Sequence, residues 1–504
     1  MRTARAFRRP GAGLLLALPA ALLLALAAAG PLHAQTAPGT EPAAPTVVDP
    51  LEGARRLLKD DKYEEALAEV RRAVAADPNS ATGQTLLGDA LYRRGDFEEA
   101  EEAYRRAVTL DPSFPAGQFG MGRILRTAGR YGDAAGFFHK AAILAPDNAK
   151  YVRILANHVA RRQDQITMLT HYLEMPAAED ERIIQNVRAW IELLKFLGDE
   201  PLGEIVRSEP TDLPMNVLRG QVYLKADVNG LAGQRFAFDT GATGITVSPR
   251  LAKKGKLKTI HPFSVTGMGG KGTVAGDLVL IRTLTVGGVT IRNVTATVAE
   301  PAGTEEGLIG PSVFGSFRIT LDLETGTLGL RRHEPPAEPP ATPGTSAQSQ
   351  ASPVAPPASP IAPQAPPAGT VRLPFRNVNG QIIAKATLNG VSLNAMVDTG
   401  ASSSIAALSS VARVQGLELL PGEWSQGRSS GLGGSIPRKT IRSARLGFAG
   451  LEFKADGIPC QDLSRFSRAL ESEVYIVVGF PELARSILEI DYRAMTLTFT
   501  ARRP

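Results

Sequence analysis

The spacing of apolar residues changes character along the 504-residue chain. Over residues 51–208 apolar positions recur at helical spacing, as in the segment from Glu181 to Leu197. From Pro214 onwards the pattern becomes short alternating apolar runs separated by Gly turns, as in Phe236-Ala237-Phe238. This change predicts an α-helical region followed by an all-β region.

The helical region repeats itself at an interval of 34 residues. The recurring residues are prolines, aromatic residues, alanines and glycines: Pro78, Pro112 and Pro146; Tyr63, Phe97 and Tyr131; Ala66, Ala100 and Ala134; Gly88 and Gly122. Small residues let two helices cross closely, an aromatic ring fills the space between repeats, and proline ends the second helix. Residues 51–150 therefore resemble the tetratricopeptide repeat (TPR) family. We expect residues 151–208 to form further helices, as a cap or a degenerate repeat.

The β region contains one arrangement of motifs twice, in residues 214–332 and 370–504. Each copy has an Asp-Thr-Gly triplet after an apolar strand, at Asp239-Thr240-Gly241 and at Asp398-Thr399-Gly400. A Gly-rich segment follows, and after it comes an apolar pair before Gly, at Leu308-Ile309-Gly310 and Val477-Val478-Gly479. Each copy closes with two strand-like segments joined by a turn.

This order of motifs resembles that of the retropepsin-like (clan AA) aspartic peptidases, over residues 214–332 and 370–501. The resemblance implies two all-β halves that form an intramolecular pseudo-dimer behind an α-helical TPR solenoid. It also implies that the Gly-rich segments act as flaps that close over an extended peptide. The flap residues would be Gly267, Met268, Gly269 and Gly270 in the first half and Gly431, Leu432, Gly433 and Gly434 in the second.

Paired aspartates suit the hydrolysis of a peptide bond by water. Two carboxylates about 3 Å apart cannot both ionise readily, so they share one proton. The ionised carboxylate can then deprotonate a water molecule while the protonated one donates to the scissile carbonyl. We predict that Asp239 and Asp398 form this catalytic dyad; which of the two begins protonated is left open.

The resemblance also assigns supporting roles to the residues beside the aspartates. The hydroxyls of Thr240 and Thr399 are expected to hydrogen-bond across the two loops, and Gly241 and Gly400 to let the backbone approach the attacking water. No cofactor or metal is expected, because the chain has one cysteine, Cys460, and its 6 histidines show no paired ligand spacing. Cys460 is interpreted as a small core residue.

The predicted function is that of an aspartic endopeptidase acting on a peptide or protein substrate, with the TPR region binding a protein partner. A Pro/Ala-rich linker, residues 333–369, joins the two halves and spans about 120 Å at about 3.1 Å per residue. We therefore expect a monomer with one intramolecular active site. The alternative is a non-catalytic periplasmic adaptor with a pseudo-peptidase fold, whose repeats bind a partner and whose β halves hold a peptide without cutting it.

Residues 1–34 are typical of a secretory signal peptide, and residues 35–50 of a spacer. Arginines up to Arg9 precede an apolar stretch from Leu14 to Ala29, and the small residue Ala34 suits cleavage. We expect an exported, periplasmic protein; the alternative is an uncleaved signal that anchors the protein in the membrane. The N-terminal arginines supply most of the formal charge of +6, so the rest of the chain is too weakly basic to favour nucleic-acid binding.

Overall fold

The structure is a computed structural model that describes residues 49–176, 180–218, 220–266, 273–300, 305–334, 369–421 and 437–501. The predicted signal peptide (1–34), nearly all of the spacer (35–50) and most of the linker (333–369) lie outside these ranges. Within the described ranges, no helix is long and apolar enough to cross a membrane.

Over the described residues, nine helices form the N-terminal region. They are α1 (Glu52–Lys59), α2 (Tyr63–Ala76), α3 (Ala81–Arg94), α4 (Phe97–Leu110), α5 (Pro115–Thr127), α6 (Tyr131–Leu144), α7 (Ala149–Ala156), α8 (Arg162–Glu174) and α9 (Glu181–Leu197). The first six pack as three consecutive pairs. Pro78, Pro112 and Pro146 each stand two residues after the second helix of a pair, which confirms the predicted register of the repeats.

Glycine permits the two helices of a pair to approach closely. A Cβ atom at Gly88 in α3 would come within 2.6 Å of the ring of Tyr104 in α4. The next repeat has the same arrangement, where a Cβ atom at Gly122 would come within 2.6 Å of the ring of Phe138. Both rings are buried, so any larger residue at either glycine would push the helices apart.

The repeated aromatic position does not have the same environment in all three repeats. Tyr63 and Phe97 are buried as expected, whereas Tyr131 is 48% exposed. The Tyr131 hydroxyl accepts a hydrogen bond from Asn377 Nδ2 at 3.4 Å. The expectation that each aromatic ring fills the space between repeats is therefore wrong for Tyr131, because this ring lies at the boundary with the β region.

The β region consists of two halves with corresponding strands. Half 1 contains β1 (Glu204–Ser208), β2 (Thr211–Pro214), β3 (Asn216–Leu218), β4 (Gln221–Val228), β5 (Leu231–Phe238), β6 (Ile245–Val247), α10 (Pro249–Lys254), β7 (Lys258–Thr266), β8 (Thr273–Val286), β9 (Val289–Val298), β10 (Gly307–Ile309), a short 3₁₀ helix (Pro311–Phe314), β11 (Phe317–Asp322) and β12 (Thr327–Arg332). Half 2 contains β13 (Thr370–Val378), β14 (Gln381–Leu388), β15 (Val391–Val397), β16 (Ile405–Ala407), α11 (Leu408–Arg413), β17 (Arg438–Phe448), β18 (Leu451–Gln461), α12 (Ser464–Leu470), β19 (Ile476–Val478), α13 (Phe480–Leu483), β20 (Ser486–Asp491) and β21 (Thr496–Ala501).

Hydrogen bonds between closing strands join the two halves. Strands β1 and β3–β10 form a nine-stranded sheet in half 1, while β2, β11 and β12 belong to a twelve-stranded sheet that includes every strand of half 2. At the junction β11 pairs antiparallel with β20, from Arg318 opposite Asp491 to Asp322 opposite Ile487. The halves therefore share backbone hydrogen bonds and one hydrophobic core.

The boundary between the helical and β regions lies earlier than the sequence pattern predicted. Residues 204–208 were expected to be helical, but the last helix, α9, ends at Leu197, and β1 pairs antiparallel with β9. Gly198 and Gly203 both have positive φ and redirect the chain between the two elements. Strand β1 has only 5 residues and pairs with a strand distant in sequence, so its own apolar pattern is too short to predict it.

The TPR helices pack against half 2. One hydrophobic cluster contains Tyr92 and Leu125 from the repeats together with Val378, Ile383 and Phe466 from half 2. All five side chains are at least nine-tenths buried. Part of the repeat surface is therefore covered by the chain's own β region.

Charged side chains lie at the same boundary. Arg123 contacts Glu471 at 3.2 Å and Asp89 at 3.3 Å, and Lys150 contacts Glu471 at 3.1 Å. The Arg123 side chain is only 8% exposed. Burial alone would raise the pKa of Glu471, but the positive charges of Arg123 and Lys150 lower it well below the usual range. These ion pairs link the repeats to the residue that follows α12.

Helix α9 packs against half 1. Leu193 and Leu197 share a hydrophobic cluster with Leu278 and Leu280 of β8. The Asn186 side chain donates from Nδ2 to the backbone oxygen of Ser264 at 3.0 Å, and Oδ1 accepts from the Ser264 N–H at 2.9 Å. The helical region thus contacts both halves.

Candidate active site

Each Asp-Thr-Gly triplet follows a strand that is held in place by a short parallel neighbour. Strand β5 runs parallel to β10, and β15 runs parallel to β19. At the strand ends, the Asp239 N–H donates to Ile309 O at 3.1 Å and the Asp398 N–H donates to Val478 O at 3.0 Å. The apolar-apolar-Gly segments therefore lie beside the Asp-Thr-Gly loops in both halves.

The glycine that ends each of these segments is required by close backbone contact. A Cβ atom at Gly310 would come within 2.1 Å of Ala242 O, and one at Gly479 within 2.6 Å of the carbonyl carbon of Ser403. A short helix with proline in its first turn follows each glycine. Proline suits this position because its missing N–H would have no partner there.

The two triplets hydrogen-bond to each other through their threonines. Thr240 Oγ1 donates to Val397 O at 2.8 Å, and Thr399 Oγ1 donates to Phe238 O at 3.1 Å. Each hydroxyl also accepts from the other threonine's N–H, at 2.8 Å to Thr240 and 3.1 Å to Thr399. Both threonines are fully buried. Four hydrogen bonds therefore connect the loops from opposite halves.

The aspartates lie side by side, each against the glycine of the other loop. A Cβ atom at Gly241 would come within 2.8 Å of Asp398 Cγ, and one at Gly400 within 2.7 Å of Asp239 Cγ. The two carboxyl groups are close enough for each to shift the pKa of the other. A side chain at either glycine would separate the carboxyls, which gives the two glycines a steric role that their turn propensity alone does not explain.

Backbone N–H groups also point at the carboxyls. Asp239 Oδ1 accepts from the Gly241 N–H at 2.7 Å. Asp398 Oδ1 accepts from the N–H groups of Gly400 at 2.8 Å and Ala401 at 3.1 Å. Asp398 is 3% exposed, whereas Asp239 is half-buried. The two halves thus place their aspartates in similar but not identical surroundings.

Burial raises the pKa of both aspartates. The pKa of Asp398 is raised well above its ordinary value, first by burial and then by the charge of Asp239 beside it. For Asp239 the hydrogen bond with Asp398 and the N–H groups of Gly241 and Gly400 offset part of the effect of burial. The raised pKa values favour one proton shared by the pair, and the effect is larger for Asp398.

The turn before β4 in half 1 and the turn before β14 in half 2 each contact the catalytic loop of the other half. A Cβ atom at Gly380 would come within 2.8 Å of Thr243 Cγ2, and one at Gly220 within 3.4 Å of Ser402 Cα. Next to Gly380, the Gln381 side chain donates from Nε2 to Gly241 O at 2.7 Å. Gln381 was not among the predicted site residues. The available signal was the Gly-Gln pair that occurs in both halves ahead of Asp-Thr-Gly, at 220–221 and 380–381.

The predicted flap residues lie outside the described residues. They are Gly267, Met268, Gly269 and Gly270 in half 1 and Gly431, Leu432, Gly433 and Gly434 in half 2. In half 1 the flanking strands β7 and β8 pair antiparallel as far as Thr266 opposite Thr273. Their role as flaps therefore stays a prediction.

The structure is therefore a duplicated all-β region with paired Asp-Thr-Gly loops behind helical repeats. The family model described as aspartyl protease matches residues 224–313 and 384–460. A tetratricopeptide repeat model matches residues 51–115 and 85–149. The chain thus carries an aspartyl protease match in two segments, preceded by TPR repeats, and both resemblances seen in the sequence are confirmed.

The second aspartyl protease match ends at residue 460, before Val477-Val478-Gly479, although the structure places this segment beside Asp398. No curated protein matches the chain. Among solved structures, a mutant of the Thermobaculum terrenum O-GlcNAc transferase is similar at 19% identity with a TM-score of 0.24. The similarity covers 25% of this chain and 25% of that one, so the chain spans about a quarter of that protein. It carries no argument about fold or function.

Proposed function

We propose that the protein is an aspartic endopeptidase that hydrolyses peptide bonds with a water molecule activated by Asp239 and Asp398. One observation carries the proposal: each Asp-Thr-Gly loop packs its glycine against the aspartate of the other loop. A buried pair of like charges is unfavourable for folding unless it shares a proton. Such a pair is retained where both protonation states are needed for chemistry.

The mechanism assigns one step to each carboxyl group. Ionised Asp239 takes a proton from the attacking water, and protonated Asp398 donates its proton to the scissile carbonyl oxygen. The water oxygen bonds to the carbonyl carbon and a tetrahedral gem-diol forms. When the C–N bond breaks, the amine leaves with the proton held by Asp239. Asp398 recovers a proton from a gem-diol hydroxyl as the carboxylic acid forms.

We also propose that one chain supplies one complete site, as an intramolecular pseudo-dimer. The hydrogen bonds between Thr240 and the Asp398 loop, and between Thr399 and the Asp239 loop, support this arrangement. The shared sheet at β11 and β20 supports it as well. The protein is then active as a monomer, and its specific activity stays constant on dilution.

The repeats are proposed to bind a protein partner through the surface that half 2 leaves uncovered, since TPR repeats are a protein-interaction module. Export to the periplasm is proposed from the N-terminal sequence alone: the arginines up to Arg9 and the apolar stretch after them.

The first test is cleavage of a diverse peptide library at several pH values. Wild type should cut with a bell-shaped pH profile whose optimum lies on the acid side of neutral. Asp239→Asn and Asp398→Asn should each lose activity by at least about 100-fold, because each removes one proton-transfer step. Asp456→Asn, at an exposed site on β18, is the matched control and should cut like wild type.

Two results would contradict the proposal. Cleavage by the Asn variants at the wild-type rate would exclude Asp239 and Asp398 from the chemistry. Binding of library peptides by wild type without cleavage at any pH would instead favour the non-catalytic adaptor.

A further inference from the structure

Gln381 lies at the point where half 2 contacts the catalytic loop of half 1. It is the first residue of β14 and is 4% exposed. Its Nε2 donates to Gly241 O at 2.7 Å. We propose that Gln381 is a positioning residue for the dyad: its carboxamide, from half 2, holds the loop that carries Asp239. This inference rests on the proposed peptidase function of the same site.

The contacts of Gly241 explain how one hydrogen bond can act on both aspartates. The Gly241 N–H donates to Asp239 Oδ1 at 2.7 Å. The Cα of Gly241 is so close to Asp398 that a Cβ atom would lie 2.8 Å from the Asp398 carboxyl carbon. Gln381 holds the remaining polar group of Gly241, its carbonyl oxygen. Loss of this bond would therefore let Gly241 move relative to both carboxyl groups.

A second hydrogen bond fixes the same peptide group from its other end. The N–H of this group belongs to Ala242 and donates to the backbone oxygen of Asp239 at 3.0 Å. Its carbonyl is that of Gly241. The Gln381 bond therefore fixes the opposite end of the same peptide group and prevents rotation of the peptide plane about the Asp239 turn.

The amide oxygen of Gln381 argues against a role in packing alone. Oε1 is buried and has no hydrogen-bond partner among the described residues. A buried acceptor without a partner destabilises the folded state. An apolar side chain of similar size would fill the space without this cost, so the donor at Nε2 is the property that requires glutamine here.

Half 1 provides a matched control. Gln221 also follows a turn glycine and is the first residue of β4, but its Oε1 accepts a hydrogen bond from the Tyr223 hydroxyl at 2.6 Å. It is half-buried. The two glutamines occupy corresponding positions in the chain and differ in what they contact.

The experiment compares full-length wild type with Gln381→Leu and Gln221→Leu in steady-state cleavage of one library peptide. Gln381→Leu should lower kcat by roughly 10- to 100-fold with little change in KM, because the loop is displaced and not the substrate pockets. The acid limb of its pH profile should move to higher pH, since a weakened Gly241 N–H bond stabilises ionised Asp239 less. Gln221→Leu should keep kcat within about threefold.

A third variant, Gln381→Glu, tests the donor itself. A protonated glutamic acid can donate to Gly241 O, whereas a carboxylate cannot. The activity of Gln381→Glu relative to wild type should therefore rise as the pH falls. If kcat and the pH profile of Gln381→Leu match wild type, or if Gln221→Leu loses as much activity, the inference is wrong.

Thermal unfolding separates this inference from the proposed function. Gln381→Leu should melt close to the wild-type temperature, because the loss of the bond to Gly241 O is offset by removal of the unpartnered Oε1. A lost activity would then not reflect a lost fold; if this variant does not fold, Gln381→Met replaces it. If wild type cleaves nothing, the proposed function fails, and the pH dependence of Tm still reports ionisation of the dyad. The fall of Tm with rising pH should then occur at higher pH in Gln381→Leu, and an unchanged profile would overturn the role of Gln381.

Discussion

Half 1 and half 2 build the same loop in different surroundings. In both, an aspartate follows a buried strand, its N–H bonds to a parallel strand, and its threonine reaches across to the other half. Asp398 is nevertheless almost fully buried, while Asp239 is half-buried. The comparison shows that the same motif gives both loops the same contacts but does not fix the exposure of each carboxyl.

The helical region also contacts the two halves in different ways. The repeats cover half 2 with apolar side chains and the ion pairs of Glu471. Half 1 packs against α9, through Asn186 and an apolar contact with β8. Three predictions follow, from the largest expected effect to the smallest. The first tests a feature that the halves share, and the other two test features in which they differ.

The threonine hydrogen bonds are the most symmetric feature, so replacing either threonine should have the same effect. Thr240→Val and Thr399→Val each remove a hydroxyl that donates one buried hydrogen bond and accepts another. Each should lower the free energy of unfolding by about 3 kcal/mol. Chemical denaturation measures this directly. A cost confined to one of the two variants would show that the loops do not support each other equally.

The ion pairs of Glu471 are specific to half 2, so their loss should have no counterpart in half 1. Glu471→Gln leaves Arg123 and Lys150 without their carboxylate and should cost about 2 kcal/mol, below the full value for a buried pair because Glu471 is 32% exposed. Glu200→Gln is the control. Its pair with Arg282 on half 1 lies at the surface and should contribute less than about 1 kcal/mol.

The cost of Glu471→Gln should also depend on pH in a defined direction. The pKa of Glu471 is lowered in the folded protein, so its contribution is present above the unfolded pKa of about 4.3 and is lost as the pH falls below it. The difference in Tm between wild type and variant should therefore shrink in acid. A difference that stays constant from neutral pH into acid would contradict the ion-pair explanation.

The contribution of the dyad to stability should depend on pH in the opposite direction. Both aspartate pKa values are raised by burial, so above about pH 3.9 the folded state binds more protons than the unfolded state, and stability is lost as the pH rises. An asparagine cannot ionise, so a variant with Asn in place of an aspartate does not lose this stability as the pH rises. The Tm of Asp398→Asn relative to wild type should therefore increase from acid to neutral pH.

Asp239→Asn provides the comparison between the halves. It should give a smaller increase in relative Tm than Asp398→Asn, because Asp398, the more buried carboxyl, remains. Equal increases for the two variants would mean that the two aspartates have equivalent surroundings in solution.

Much of the fold and of the site could be predicted because the relevant patterns are local. The 34-residue interval placed the helices of the repeats, and the apolar runs before Asp239 and Asp398 placed the two loops at strand ends. Cys460 is fully buried, as expected of a core residue, and burial raises the pKa of its thiol to about 11. Strand β1 and the exposed Tyr131 were not predicted, because each depends on a partner distant in sequence.

The sequence by itself determined the class of each region: helical repeats, then one β arrangement used twice, with an aspartate at the same place in each copy. Helical spacing, strand alternation and turn glycines act over a few residues, so they can be read from the chain. Only the tertiary structure decided that the repeats cover half 2, that Asp398 is the more buried carboxyl, and that Gln381 bonds to Gly241. These contacts join residues more than a hundred positions apart, and no local pattern specifies which distant surfaces will pack together.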